Sequence, residues 1–161
     1  MTILHVEDDS NDVLLFRHAC QKAGVALNLQ EAIDGEEAIA YLNGEKQFAD
    51  RQAHPLPHLV LLDLKMPRVS GFDVLVWMRL DPRFRHVPVV VLSSSNHDAD
   101  VQRAYSAGAN SYLVKPVGFN TLVDLARSIH DYWLLFNQPA AHSLVNLSAE
   151  RVRSPAPAQL S

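Results

Sequence analysis

The feature that most constrains the fold is a pair of short segments that are apolar at every position. Leu59–Leu62 reads Leu-Val-Leu-Leu, and residues 87–92 carry only valine, proline and leucine. Successive side chains of a strand point to opposite faces of its sheet, so these segments must be buried on both faces. A parallel sheet covered by helices on both sides provides that environment. The sequence therefore predicts an α/β fold around a parallel sheet.

Three further strands and five helices alternate with these segments. Residues 3–6 and Ser111–Val114 are short, mostly apolar runs, and residues 25–29 alternate as an edge strand does. Helices are predicted from an Asp9 or Ser10 cap to Gly24, after the Asp34-Gly35 turn, and over residues 70–80, 98–107 and 119–136. Five βα units predict a three-layer (βα)5 sandwich, that is, a doubly wound sheet.

Length and charge exclude several classes of protein. The 161 residues fit one domain, which we expect at residues 1–137, followed by a partly disordered tail at residues 138–161. The net charge of -4 disfavours a nucleic-acid binder, which needs concentrated Lys and Arg. A single cysteine cannot form an intrachain disulfide, and no apolar run approaches the roughly 20 residues that span a bilayer. The first residues do not have the pattern of a signal peptide, so we expect a cytoplasmic protein that binds neither nucleic acid nor membrane.

Polar side chains stand where four of the strands end. Glu7 and Asp8 follow the first strand, Asp63 the third, Ser93 ends the fourth and Lys115 follows the fifth. The carboxyl ends of parallel strands meet at one edge of the sheet, where ligands bind. Carboxylate oxygens suit Mg²⁺, a lysine offers positive charge to a phosphoryl oxygen, and an aspartate can act as a nucleophile. The sequence therefore predicts a phosphoryl-transfer site at this edge.

The same residues occur in motifs that resemble the receiver domain of two-component response regulators. These motifs are Val6-Glu7-Asp8, the segment Asp63-Leu64-Lys65-Met66-Pro67 with Gly71, Ser93, and Lys115-Pro116. Ser93 lies 30 residues after Asp63, and Lys115 lies 22 residues after Ser93, as is typical of that family. The resemblance covers about residues 2–136. A long loop before the third strand and the ending at residues 129–134 resemble, within the family, the stand-alone regulators that partner bacterial and cyanobacterial phytochromes.

The resemblance implies a flavodoxin-like fold with strand order 2-1-3-4-5, and Asp63 as the phospho-acceptor. It implies that Asp8, Asp63 and the backbone carbonyl of Lys65 coordinate Mg²⁺. Glu7 would act through a metal-bound water. The side chain of Lys65 stands at a position that tunes dephosphorylation in relatives.

The same resemblance also implies roles for the residues at the ends of the fourth and fifth strands. Lys115 would pair with the phosphoryl group, and its peptide bond to Pro116 would be cis. Ser93 would move to bond a phosphoryl oxygen, and Tyr112 stands at the switch aromatic position. Ser95 occupies a second position that tunes dephosphorylation in relatives.

The resemblance implies a single-domain response regulator, a switch that assists its own phosphorylation and dephosphorylation and is not a metabolic enzyme. A histidine kinase, in this subfamily a bacteriophytochrome, would phosphorylate Asp63 and so change the surface around the fourth and fifth strands. Two other classes remain open. A small phosphotransferase or phosphatase with an aspartyl-phosphate intermediate generally adds a cap or a second acid where this chain has Lys65. A flavodoxin-like cofactor binder would need a hydroxyl- or glycine-rich loop in place of Glu7-Asp8-Asp9.

The fifth helix carries more apolar surface than one buried face requires. Six positions predict the stripe that packs on the sheet: Phe119, Leu122, Ala126, Ile129, Trp133 and Phe136. Residues 132–136 are all large and apolar, and a helix can turn only part of such a run inward. We expect a two-fold homodimer through this helix. The alternative cover is the tail around Leu144 and Leu147.

Overall fold

The computed structural model describes residues 1–138 and contains one five-stranded sheet. Its strands are β1 (Thr2–Val6), β2 (Asn28–Ala32), β3 (Leu59–Leu62), β4 (Val89–Ser93) and β5 (Ser111–Val114). All strand pairs are parallel, and the order is β2-β1-β3-β4-β5. The α/β class, the five βα units and the 2-1-3-4-5 order are confirmed. The expected disorder of the tail concerns residues that lie, except for the first, outside the described part of the chain.

One α-helix follows each strand: α1 (Ser10–Ala23), α2 (Gly35–Asn43), α3 (Gly71–Leu80), α4 (Asp98–Ser106) and α5 (Phe119–Ile129), with a 3₁₀ turn (Lys46–Phe48) after α2. Local sequence sets where they begin and end. The Asp9 carboxylate caps α1 by accepting from the Asn11 amide, and Gly24 ends that helix at a φ of 69°. The Ser70 side chain forms a capping box with Asp73 at the start of α3. Across residues 1–138, no helix is long and apolar enough to cross a membrane.

Helices cover both faces of the sheet and divide the core into two clusters. α2, α3 and α4 pack on one face, toward which Val60 and Val91 point. α1 and α5 pack on the other face, against Leu61 and Val90. Every residue of β3 and β4 is therefore buried, as the two apolar runs predict.

β2 begins three residues later than the sequence predicts. Pairing with β1 sets its register, with Thr2 opposite Asn28. Val25 and Leu27 lie in the connection before the strand and pack at the border of the α1/α5 core. Pairing overrides the local alternation here, because an edge strand tolerates a polar residue such as Asn28 as well as an apolar one.

The chain does not continue α5 as an α-helix to Phe136. After Ile129 it forms a π-helix, His130–Phe136. A π turn closes hydrogen bonds from residue i to residue i+5, so it contains more residues than an α turn and changes which side chains face inward. Leu134 is consequently buried, whereas Trp133, which the predicted stripe would bury, is only half-buried.

The predicted buried stripe of the fifth helix is right in its centre and wrong at its ends. Ala126 and Ile129 are buried, and Val123, which the stripe omits, is buried with them. Phe119 at the helix start is 38% exposed, and Phe136 is 75% exposed. The π-helix accounts for the error at Phe136, since it breaks the spacing on which the stripe depends.

Candidate functional site

Three carboxylates meet at the carboxyl edge of the sheet. Glu7 and Asp8 follow β1 directly, and Asp63 follows β3, the neighbouring strand. Each offers an oxygen, and these oxygens all lie within 4.8 Å of one another. Glu7 and Asp63 are buried, whereas Asp8 is exposed, so the cluster is open to solvent on the Asp8 side. Oxygen donors in this arrangement fit Mg²⁺ or a similar divalent cation.

Glu7 is the most deeply buried of the three acids, with an exposed fraction of 1%. Burial raises the pKa of its carboxyl, and the negative charge of Asp63 acts in the same direction. Hydrogen bonds from Lys115 and from the Asp9 amide oppose that rise without cancelling it. The charged form of Glu7 therefore depends on the positive charge beside it.

Lys115, the residue after β5, supplies that positive charge. Its ammonium donates to Glu7 at 2.6 Å and to Asp12 at 2.7 Å, and lies 3.7 Å from Asp63 Oδ2. Burial disfavours the ammonium form, but the hydrogen bonds to Asp12 and Glu7 and the charge of Asp63 outweigh burial and raise the pKa of Lys115. The lysine is therefore charged at neutral pH and neutralises part of the acidic cluster.

Asp12 also belongs to this site, although it does not follow the end of a strand and the sequence analysis did not predict it. It lies in the first turn of α1, where a negative side chain also suits the helix dipole. Its side chain is 37% exposed and reaches the ammonium of Lys115 from the helix side. Asp8 precedes α1, which begins at Ser10, so no helical spacing links Asp12 to the acids that follow β1, and only the packing of α1 over the sheet brings it to Lys115.

His5 lies beneath the site, on the α1/α5 side of β1. It lines a cavity of about 60 Å³ together with Asp12, Phe16 and Lys115. Its Nδ1 has no hydrogen-bond partner among residues 1–138, and its ring centroid lies 5.0 Å from that of Phe16. Burial, with the charge of Lys115 as a second cause, lowers the pKa of His5 to about 3. The ring is therefore neutral at physiological pH.

The backbone of Asp63 is packed against the start of α3. The Leu64 amide donates to Asp63 Oδ1 at 2.7 Å, and the Gly71 amide donates to the Leu64 carbonyl at 3.1 Å. A Cβ added to Gly71 would lie 2.0 Å from the Asp63 carbonyl oxygen, so only glycine fits there. This contact fixes Asp63 relative to α3 and explains the glycine of the sequence motif.

Ser93, Ser95 and Tyr112 form a hydrogen-bonded group at the ends of β4 and β5. Ser93 is fully buried, and its hydroxyl accepts from the Ser95 amide at 3.4 Å. The Tyr112 hydroxyl donates to the Ser95 carbonyl at 2.9 Å, and the Ser95 hydroxyl donates to Asp100 at 2.5 Å. The Lys65 ammonium lies 3.8 Å from the same carboxylate of Asp100. The loops after β3 and β4 are thereby tied to α4 and to β5.

The peptide bond between Lys115 and Pro116 is trans, which corrects the expectation of a cis bond. No cis peptide bond occurs in residues 1–138. The two isomers of a bond before proline differ by only about 0.5–1 kcal/mol, so tertiary context and not the dipeptide decides between them.

A family model described as the response regulator receiver domain matches residues 3–127. Among curated proteins, the chain is 38% identical over 136 residues to the probable methanogenesis regulatory protein FilR2 of Methanothrix harundinacea. This alignment covers 84% of this chain and 85% of FilR2. The chain is also 32% identical over 132 residues to the response regulator Rcp1 of Synechocystis, in an alignment that covers 82% of this chain and 88% of Rcp1.

Solved structures share the fold as well as the sequence. The Mn²⁺-bound form of Rcp1 has a TM-score of 0.75 at 31% identity and covers 87% of this chain and 99% of its own. The response regulator RPA3017, from red light signaling of R. palustris, has a TM-score of 0.82 at 36% identity and covers 87% of this chain and 98% of its own. The family match therefore agrees with the observed fold and strand order. The chain belongs to the response regulator family and carries its receiver domain.

Proposed function

We propose that this chain is a phosphorylation-dependent switch in which Asp63 accepts a phosphoryl group from a histidine kinase. The position of Asp63 carries the proposal, because its carboxylate lies beside two further acids and 3.7 Å from the Lys115 ammonium. Its Oδ1 accepts from the Leu64 amide, which limits rotation of the carboxylate. A nucleophile between a cation site and an ammonium suits the transfer of an anionic phosphoryl group.

In the proposed transfer, a carboxylate oxygen of Asp63 attacks the phosphorus of a phosphohistidine on the kinase. An oxygen–phosphorus bond forms and the phosphorus–nitrogen bond breaks, and the histidine nitrogen leaves with the electron pair and takes a proton from solvent. Lys115 pairs its charge with a phosphoryl oxygen. Water later hydrolyses the acyl phosphate, which restores the carboxylate and releases inorganic phosphate. The chain assists both steps on itself and acts as a switch.

The metal site that we propose consists of Asp8, Asp63 and the backbone carbonyl of Lys65, with Glu7 acting through a bound water. The carboxylate donors and the exposure of Asp8 support Mg²⁺, which keeps part of its water shell in proteins. The Mn²⁺-bound structure of Rcp1 supports a divalent cation in a relative of the same fold. A cation bound here neutralises charge on the transferred group.

Ser93 and Tyr112 would pass the change at Asp63 to the surface. The Ser93 hydroxyl, which now accepts from the Ser95 amide, would turn to donate to a phosphoryl oxygen. Tyr112 is tied to the Ser95 carbonyl, so a movement of residue 95 reaches the exposed side of β5 and α4. A local charge change would thereby bias a two-state surface.

Acceptance of the phosphoryl group is tested by intact-mass spectrometry after incubation with acetyl phosphate and MgCl₂. The wild type should gain one phosphoryl group that is labile in base, and Asp63→Asn should gain none. Asp98→Asn, which changes an exposed acid of α4, should be labelled as fully as the wild type. Undiminished labelling of Asp63→Asn would refute the assignment.

The kinase that we propose as partner is a phytochrome. The similarity to a regulator from red light signaling supports this pairing, as does the extended ending after α5. Phosphotransfer profiling against the histidine kinases of the source organism tests it. A phytochrome kinase should label Asp63 faster than the other kinases do, and equal or slower transfer from the phytochrome would contradict the pairing.

The apolar surface of the π-helix supports a two-fold homodimer. Tyr132 and Leu135 are each 58% exposed and Phe136 is 75% exposed. Burying one such side chain is worth about 1.5–3 kcal/mol, so three from each protomer exceed the several kcal/mol lost on association. The same patch on both copies forms a self-complementary contact.

Sedimentation velocity at micromolar concentration tests the dimer. The wild type should sediment as a dimer, and the double variant Leu135→Ser with Phe136→Ser as a folded monomer. Leu14→Ser removes a side chain of similar exposure from α1 and should leave the dimer intact. We assign the receiver domain to residues 1–137, so a chain that lacks residues 138–161 should still fold and form the dimer. A wild type that is monomeric with and without beryllofluoride would contradict the proposal.

A further inference from the structure

The Lys115 ammonium divides its hydrogen bonds between two elements and gives none to Asp63. One N–H donates to Glu7 at the end of β1, and a second donates to Asp12 in α1. The nearest oxygen of Asp63 lies 3.7 Å away, which is beyond hydrogen-bond distance. The lysine is therefore held beside the acceptor but not on it.

The second of these hydrogen bonds is the one that sets the distance to Asp63. Glu7 and Asp63 follow neighbouring strands, so a lysine bonded to Glu7 alone could approach both. Asp12 approaches from the helix, and its charge-assisted bond at 2.7 Å holds the ammonium on the α1 side of Glu7. An ammonium has three donors, so a bond to Asp63 is prevented not by a shortage of donors but by the position of the nitrogen, which the bonds to Glu7 and Asp12 hold 3.7 Å from Asp63.

We infer that Asp12 is a positioning residue that holds the Lys115 ammonium off Asp63 and so leaves the oxygens of Asp63 available to Mg²⁺. The inference rests on the proposed function, because it concerns competition at the proposed metal site. Without Asp12, the ammonium moves from 3.7 Å to a hydrogen-bond distance of about 2.8 Å from Asp63. At an effective dielectric constant of about 20, that approach strengthens the ion pair about tenfold, and Mg²⁺ binding weakens by the same factor.

Titration with MgCl₂ followed by ¹⁵N NMR at the Leu64 amide measures the apparent Kd, because that amide donates to Asp63. Asp12→Asn should raise the Kd about tenfold, and Asp12→Ser, which also suits a helix start, should do the same. Asp9→Asn removes an equal charge from the residue after Asp8 and keeps the helix cap, since Asn caps as well as Asp does. It should raise the Kd by no more than about twofold.

A double-mutant cycle separates positioning from simple loss of charge. In a Lys115→Ala background, Asp12→Asn should change the Kd no more than Asp9→Asn does. Equal effects of Asp12→Asn and Asp9→Asn in the wild-type background would overturn the inference, and so would a tenfold effect that persists without the lysine. A wild type whose Leu64 amide does not respond to MgCl₂ would instead refute the proposed metal site.

Discussion

Acid should destabilise this protein through His5, because the native state cannot accept a proton on that ring. His5 is 2% exposed, and its Nδ1 has no hydrogen-bond partner in the described part of the chain. Burial, reinforced by the charge of Lys115, lowers the pKa of His5 from 6.5 to about 3. The unfolded chain leaves the same ring in water, where it titrates near its ordinary pKa.

The magnitude follows from proton linkage. Between the unfolded pKa of 6.5 and the native pKa of about 3, the unfolded state binds one proton that the native state does not. The free energy of unfolding therefore falls as the pH falls through this range, by about 1.4 kcal/mol per unit. From about pH 7.5 to about pH 5 the loss from His5 alone is about 2 kcal/mol. The slope is half its full value at pH 6.5, where the unfolded ring is half protonated, and vanishes well above that pH, where the ring is neutral in both states.

Urea unfolding at the two pH values measures this contribution. His5→Leu fills a similar volume without a titratable group, so it should lose about 2 kcal/mol less stability than the wild type between about pH 7.5 and about pH 5. His18→Gln replaces an exposed histidine of α1 and should lose as much as the wild type. If the wild type and His5→Leu lose the same stability, the native state protonates His5 and the reasoning fails.

Three further outcomes follow from contacts in the structure. Asp8→Ala should raise the melting temperature of the metal-free protein, because it relieves repulsion among the three carboxylates. It should also remove most of the stabilisation by MgCl₂, which is about 2.7 kcal/mol at a hundredfold excess over Kd. Differential scanning fluorimetry measures both effects, and an undiminished Mg²⁺ shift in Asp8→Ala would show that the metal binds elsewhere. Gly71→Ser should lower the free energy of unfolding by about 1–3 kcal/mol and impair labelling by acetyl phosphate, since the added Cβ would lie 2.0 Å from a backbone oxygen. Gly118→Ser, whose added Cβ would have its nearest contact 3.5 Å away, should unfold in urea as the wild type does. Arg79→Lys should cost roughly 1.5–3 kcal/mol of unfolding free energy because a lysine cannot reproduce the guanidinium bonds to the carbonyls of Gly108 and Val87; an unchanged urea midpoint would contradict this.

The central sheet could be predicted from the sequence because burial on both faces acts on every residue of a strand. Leu59–Leu62 has no position where a polar side chain would be tolerated, so its pattern has one structural interpretation. The start of β2 is different, because Val25 and Asn28 are both acceptable at an edge. The hydrogen bonds to β1 decide between them, and those bonds join residues that are far apart in sequence.

The candidate site was predictable to the extent that its residues follow the ends of strands. Glu7, Asp8 and Asp63 follow apolar runs that the sequence identifies, and parallel strands bring such ends together. Asp12 was missed because a helix supplies it, and its orientation depends on how α1 packs over the sheet. The isomer of the bond after Lys115 was missed because its two forms are nearly equal in energy.

The π-helix that follows α5 also bears on how this receiver could diverge from its relatives. A π turn contains one residue more than an α turn, so His130–Phe136 is geometrically an α-helix with an inserted residue. Each residue of an α-helix rotates the chain by about 100°. A residue inserted into a regular α-helix would therefore rotate the residues after it by about 100°, whereas the wider π turn absorbs the extra residue and keeps Leu134 on the buried side. Loss or gain of one residue in this segment can thus alter the side chains exposed within it while every residue around Asp63 stays the same.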